Sequence, residues 1–150
     1  MQQINPQDKI SQYFTYHEFL WLPSWNRLAD ESDGLDDDVV DRLKVLAEKL
    51  DIVREYFDKP IRIHVAYRPA KYNAQIGGAK SSAHCAAVNM EAAVDFDVIG
   101  LTCDEAKAMI LQDDKLADWD MRMEDLPQGS GWIHLDTRPL IPGHNRCFKP

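Results

Sequence analysis

VVDRLKVLAEKLDIVREYFDKPIRIHVAYR, residues 39–68, changes its apolar period part-way along, and that change decides the fold class. Val39, Leu43, Leu46, Leu50, Val53 and Phe57 fall at spacings of 4, 3, 4, 3 and 4. That is one apolar stripe of an amphipathic helix. Asp36, Asp37 and Asp38 stand just before it, where carboxylates cap free backbone N–H groups and favour the helix dipole. Pro60 marks the helix end. Ile61, Ile63 and Val65 then alternate with Arg62, His64 and Ala66, the period-2 pattern of a strand. His64 reads as a half-exposed strand residue, not a ligand.

Working outward, PAKYNAQIGGAKSSAH (69–84) reads as a loop with a short helical turn at most, broken at Gly77-Gly78. AAVDFDVIG (92–100) is a second strand. Thr102 and Glu105 form a T-x-x-E capping box ahead of AKAMIL, which predicts a second helix of about ten residues. WDMRME (119–124) and GWIHLDTR (131–138) are third and fourth strands, separated by a turn with Pro127 and Gly129. The order helix, strand, strand, helix, strand, strand predicts an α+β fold, a small antiparallel sheet with helices packed on it. Upstream, DESDGLDDD (30–38) lacks the spacing of a calcium-binding EF-hand loop and reads as a helix cap with a solvated turn.

The 150 residues are expected to form one domain, 1–150, large enough for a core without staples. A hydrophobic share of 45% and a charged share of 28% are those of an ordinary globule. The formal net charge is -8, which argues against nucleic acid or an anionic membrane surface as a partner. Cys85, Cys103 and Cys147 are odd in number and lack a CxxC spacing, so free thiols in a reducing compartment are expected. MQQINPQDKISQYF has no basic head followed by an apolar run, so no secretory signal and a cytoplasmic site of synthesis are expected. No stretch has the roughly 20 apolar residues of a membrane span.

Three residues stand out for chemistry. His84 ends a Gly/Ser-rich loop, where a side chain can be aimed freely. His134 lies in a strand-like run with Asp136 on the same face two residues on. Asp95 is an acid inside the apolar strand AAVDF, and a carboxylate buried there needs a partner. A catalytic zinc, with three protein ligands and one open position, would supply it. The alternative from spacing alone is an Asp95–Arg68 pair and two ordinary histidines.

Several blocks resemble the zinc-dependent peptidases of family M15, the D-Ala-D-Ala carboxypeptidase-like domains of phage and bacterial wall enzymes. FTYHEFLWLPSWNRLAD (14–30) resembles that family's FT-x-x-E opening. PIRIHVAYRPAKYNAQIGGAKSSAH (60–84) is similar to its pI-x-I-x-SGYR…N…GGa…S-x-H stretch. AAVDF (92–96) resembles G-x-A-x-D-[IF], and GWIHLD (131–136) resembles W-x-H-x-D. The blocks run in order over roughly residues 14 to 140. The resemblance implies a Hedgehog/D-Ala-D-Ala peptidase-like fold and a Zn2+ held by His84, Asp95 and His134. It implies Arg68 against a substrate carboxylate or oxyanion, Ser82 as a hydrogen-bonding residue for substrate, and Trp132 as a wall of the site. Tyr67 and Asn73 are expected to be structural. The implied substrates are peptidoglycan peptides, cut by a carboxypeptidase or an endolysin-like endopeptidase acting at the cell wall, and a phage origin would fit.

The chain departs from the family pattern twice. The family's aspartate stands seven residues after the first histidine, which here is Glu91; Asp95 comes eleven after. CAAVNM (85–90) then carries an insertion, and the rival register makes Glu91 the ligand. Many members also place a general base three residues before the last histidine, and Gly131 stands there. Glu124, Asp125, Glu91 and Asp136 are the candidate replacements. Glu124 or Asp125 is preferred because both precede the PQGSG turn, and Asp136 is expected to hold the strand. Without a base, the same domain is a metal-containing wall-binding or phage structural module. A thiol hydrolase using Cys85 with His84 is a third reading, weakened because neighbouring residues of an extended chain point to opposite faces.

Overall fold

The computed structural model describes residues 1–150. Twelve helices and strands follow in chain order. They are α1 (Tyr16–Leu20), β1 (Trp21–Leu22), β2 (Arg27–Leu28), α2 (Asp37–Phe57), β3 (Ile61–Val65) and α3 (Ala70–Gln75). The second half holds β4 (Ala93–Val98), α4 (Cys103–Gln112), α5 (Lys115–Trp119), β5 (Arg122–Glu124), β6 (Ile133–Asp136) and β7 (Cys147–Phe148).

The apolar stripe of α2 is buried as its spacing predicts, from Val39 through Leu43, Leu46, Leu50 and Val53 to Phe57. Burial of each such side chain is worth about 1.5–3 kcal/mol, which sets this helix as the main support of the sheet. Asp36 caps it by accepting from the Val39 N–H at 2.8 Å. The helix stops at Asp58, in the left-handed region at φ 50°, whose N–H reaches the Arg54 and Glu55 carbonyls. Pro60 follows two residues later. The one buried acid of the helix, Asp51, accepts from Ser11, Gln12 and Tyr13. Those three bonds satisfy its carboxylate and tie the N-terminal segment to α2.

The main sheet has five strands in the order β3-β4-β6-β5-β7. All neighbours are antiparallel except β5 and β7, which run parallel. The α+β class with an antiparallel core is as expected; the tail strand β7 makes the sheet mixed. Beyond the expected elements are α1, α5, β7 and the separate hairpin β1–β2. WDMRME is only half strand, because Trp119 closes α5 and Asp120 turns the chain at φ 50°. α4 is capped by Thr102 and runs ten residues.

Strand alternation divides the sheet into two faces. Val94, Phe96, Val98, Met123, Ile133 and Leu135 enter one apolar cluster with α2 and α4. The opposite face presents Asp95 and Asp97 from β4, His134 and Asp136 from β6, and Arg122 and Glu124 from β5. The polar chemistry of the chain is therefore collected on one sheet face, with the core behind it. No helix is long and apolar enough to cross a membrane.

Candidate metal centre

His84 arrives from a 3-10 turn, Ala83–Cys85, capped by Ser82, whose hydroxyl accepts from the His84 N–H at 3.2 Å. The Arg68 N–H donates to the His84 carbonyl at 2.9 Å, which fastens the turn to the chain leaving β3. The ring of His84 is buried. Its Nδ1 lies 2.8 Å from the Ala66 carbonyl. A carbonyl only accepts, so Nδ1 carries the proton and the Nε2 lone pair is left facing Asp95. Asp95 and His134 are direct cross-strand partners of β4 and β6. Asp95 Oδ1 is 3.2 Å from His84 Nε2 and 3.0 Å from His134 Nδ1. The other nitrogen of His134, Nε2, is 3.1 Å from Asp136 Oδ2. Asp136 in turn accepts two bonds from Arg122, at 2.9 and 3.0 Å, and one from the Arg138 N–H.

The donor atoms of His84, Asp95 and His134 lie within 4.8 Å of one another. Two imidazoles and a carboxylate form a donor set that suits a borderline divalent metal. Each histidine has its outward nitrogen held by a hydrogen-bond acceptor, the arrangement that orients imidazole ligands. The residues present therefore fit a metal ion.

Electrostatics agree. Burial pushes the His84 imidazole towards its neutral form, with the Asp95 charge pulling the other way. Burial also opposes charge on Asp95, but the two histidines outweigh it and keep the carboxyl ionised. His134 is desolvated too, yet its bonds to Asp136 and Asp95 hold its pKa up to about 9. These bonds favour a proton on His134, and a divalent cation held by the same residues would compete with it.

The family profile of peptidase M15 matches residues 12–136. The chain belongs to the peptidase M15 family. No curated protein and no solved structure shows significant similarity to it.

Around this M15 site lies a cleft of about 550 Å³ whose lining includes Arg68, Ser82, Glu124 and Trp132. Arg68 does not pair with Asp95. Its Nη2 donates to Ser82 Oγ at 3.3 Å, and its Nε is buried without a partner. Ser82 Oγ thus accepts two bonds, one capping the turn and one holding Arg68. Trp132 is 39% exposed and walls the cleft, outside the core. Glu91 lies apart from the histidines, paired with Arg138 at 2.9 and 3.0 Å. Glu124 lines the cleft, whereas Asp125 sits outside its lining, 3.9 Å from Lys107. Cys85 faces no histidine partner, and burial pushes its thiol pKa up despite the nearby Arg68 charge. All three cysteines are free. Tyr67 and Asn73 are buried.

Sequence reasoning missed Arg122 as a site residue. The alternation Arg122–Met123–Glu124 carried that signal, since it puts Arg122 on the same face as Glu124. It also missed Phe148 and Pro150, which line the cleft from the tail. No local pattern marks them, because only β5–β7 pairing brings them there.

Proposed function

We propose that the protein is a zinc-dependent peptidase that hydrolyses peptide bonds in the stem or cross-link peptides of peptidoglycan. One observation carries the reading: in an M15 chain, His84 Nε2, Asp95 Oδ1 and His134 Nδ1 converge at a cleft. Zinc held there would polarise the scissile carbonyl and bring the pKa of water to about 7.

The chain's own groups divide the remaining work. Three carboxylates line the cleft: Asp95, Glu124 and Asp136. Asp95 faces both histidines and Asp136 is held by Arg122, while Glu124 makes no ion pair. Glu124 is therefore the group to take a proton from water and return it to the leaving amine. Arg68 lines the cleft and offers its guanidinium to a substrate carboxylate or to the developing oxyanion. Ser82 orients that guanidinium, and Trp132 bounds the peptide. Action at the cell wall, in an endolysin-like role, follows from this substrate.

A second reading, a metal-containing wall-binding module, is favoured by Gly131, which leaves the family's base position without a side chain. Mass spectrometry of purified peptidoglycan incubated with zinc-loaded protein, with and without chelator, separates the two. Chelator-sensitive release of defined peptides supports the peptidase. Intact peptides across several wall types, with zinc bound one to one, support the binding module.

A further inference from the structure

The matched family segment ends at Asp136, yet the chain after it returns to the site. Strand β7 lies against β5, with Phe148 beside Glu124 in the register. Two backbone bonds hold it there: the Met123 N–H donates to the Arg146 carbonyl at 2.8 Å, and the Asp125 N–H to the Phe148 carbonyl at 2.6 Å. Glu124 belongs to the polar sheet face, so its register partner Phe148 faces the same way. Its neighbour Cys147 packs on the apolar core, while the Phe148 ring lies outside that core and lines the cleft.

The ring meets two partners. The Arg122 guanidinium carbon lies 4.1 Å from its centroid. The His134 ring lies 6.1 Å away, at an interplanar angle of 82°. We propose that Phe148 is a positioning residue for the metal centre, acting through Arg122 and Asp136 on His134; this rests on the metal reading above.

The path is continuous. Phe148 covers one side of Arg122, whose side chain is 14% exposed. A cation over an aromatic face is attracted to it, more so when water is excluded. The same cover lowers the local screening of the Arg122–Asp136 pair, which is otherwise buried on the Asp136 side. A fixed Asp136 holds the Nε2–H of His134, and that bond fixes the ring so that Nδ1 stays turned towards the Asp95 side of the site, 3.0 Å from Asp95 Oδ1. With Phe148 cut back, water reaches Arg122, the guanidinium gains rotamers, and Asp136 is held less firmly. The ligand geometry of His134 then has to be paid for at each binding event. The tail beyond the family segment thereby contributes to metal affinity without touching the metal.

The test is the zinc affinity of the full chain, measured by competition with a chromophoric chelator. Wild type is compared with Phe148→Ala, Phe148→Leu and Phe148→Tyr, and thermal unfolding is recorded on the zinc-free proteins. Phe148→Ala is expected to weaken zinc about tenfold, the lower end of what loss of a ligand's supporting partner costs. Phe148→Tyr keeps the ring face and should bind as wild type. Phe148→Leu keeps bulk without the ring and should stay weak. If Phe148→Ala fails to fold, the Leu and Tyr variants decide alone. Wild-type zinc binding with unchanged affinity in Phe148→Leu overturns this inference alone. Wild-type protein that takes up no zinc overturns the metal reading and this inference with it.

Discussion

Asp95→Ala and Glu91→Ala, compared side by side, test which acid completes the metal set. Asp95 Oδ1 touches both histidine nitrogens, at 3.2 and 3.0 Å. Glu91 is bound to Arg138, with side chains 16% and 29% exposed. Removing Glu91 strands a half-buried guanidinium and should cost about 1–3 kcal/mol of stability, independent of metal. Removing Asp95 should abolish the stabilisation that zinc brings. A ligand that binds only the folded state, at free concentration about 1,000 times its Kd, adds roughly 4 kcal/mol. At about 2–4 °C per kcal/mol for a chain of this size, zinc should raise Tm by roughly 8–16 °C. Scanning fluorimetry with and without zinc, alongside elemental analysis, reads both effects. Wild type and Glu91→Ala should show the full zinc increment and one zinc per chain. Asp95→Ala should show neither. An increment that survives in Asp95→Ala and disappears in Glu91→Ala would refute the assignment and restore the rival register.

Three further outcomes are expected. Glu124→Gln should lower kcat by about 10²–10⁴ with zinc content unchanged; full activity would move the proton-transfer role elsewhere. Leu46→Ala, at a fully buried position of α2, should cost about 3–5 kcal/mol, read as a lower urea midpoint at unchanged slope. A loss below about 1 kcal/mol would mean α2 is not the support of the sheet. Tyr56 is raised to about 12 by burial and by its bond to Asp113. A raised pKa contributes stability below the unfolded value of about 10 that is lost as pH rises through the folded one. Urea midpoints between pH 9 and 12 should therefore fall less steeply in Tyr56→Phe than in wild type, and parallel curves would contradict the assignment.

The elements legible in the sequence are those whose signals are local. The α2 stripe, the Asp36 cap and the Thr102 cap each act within about one turn or one apolar period and stand where their patterns predict, although Glu105 accepts from the Thr102 hydroxyl and leaves the reciprocal arm of the box unmade. The missed elements lack such signals. α1 and α5 are five residues each, β1, β2 and β7 two each. Elements that short have little preference of their own and form because tertiary contacts hold them. The Glu124 and Asp125 alternatives show the same limit. They are adjacent in sequence and equal in charge, and strand alternation sends one to the cleft and the other towards Lys107.

By itself the sequence determined the α+β class and the apolar faces, and it put forward His84, Asp95 and His134 as candidate donors with Glu91 as a rival acid, because period, capping and residue chemistry are written locally. The convergence of His84, Asp95 and His134, with Glu91 apart on Arg138, and the partners of Arg68 and Asp136 were decided only by the tertiary structure. So was the arrival of Phe148 at the site. The reason is distance along the chain: Asp95, His134 and Phe148 meet only where β4, β6, β5 and β7 lie side by side, and His84 joins them from a turn fastened to the chain leaving β3. Pairing between strands so far apart depends on the whole buried core and on no single segment.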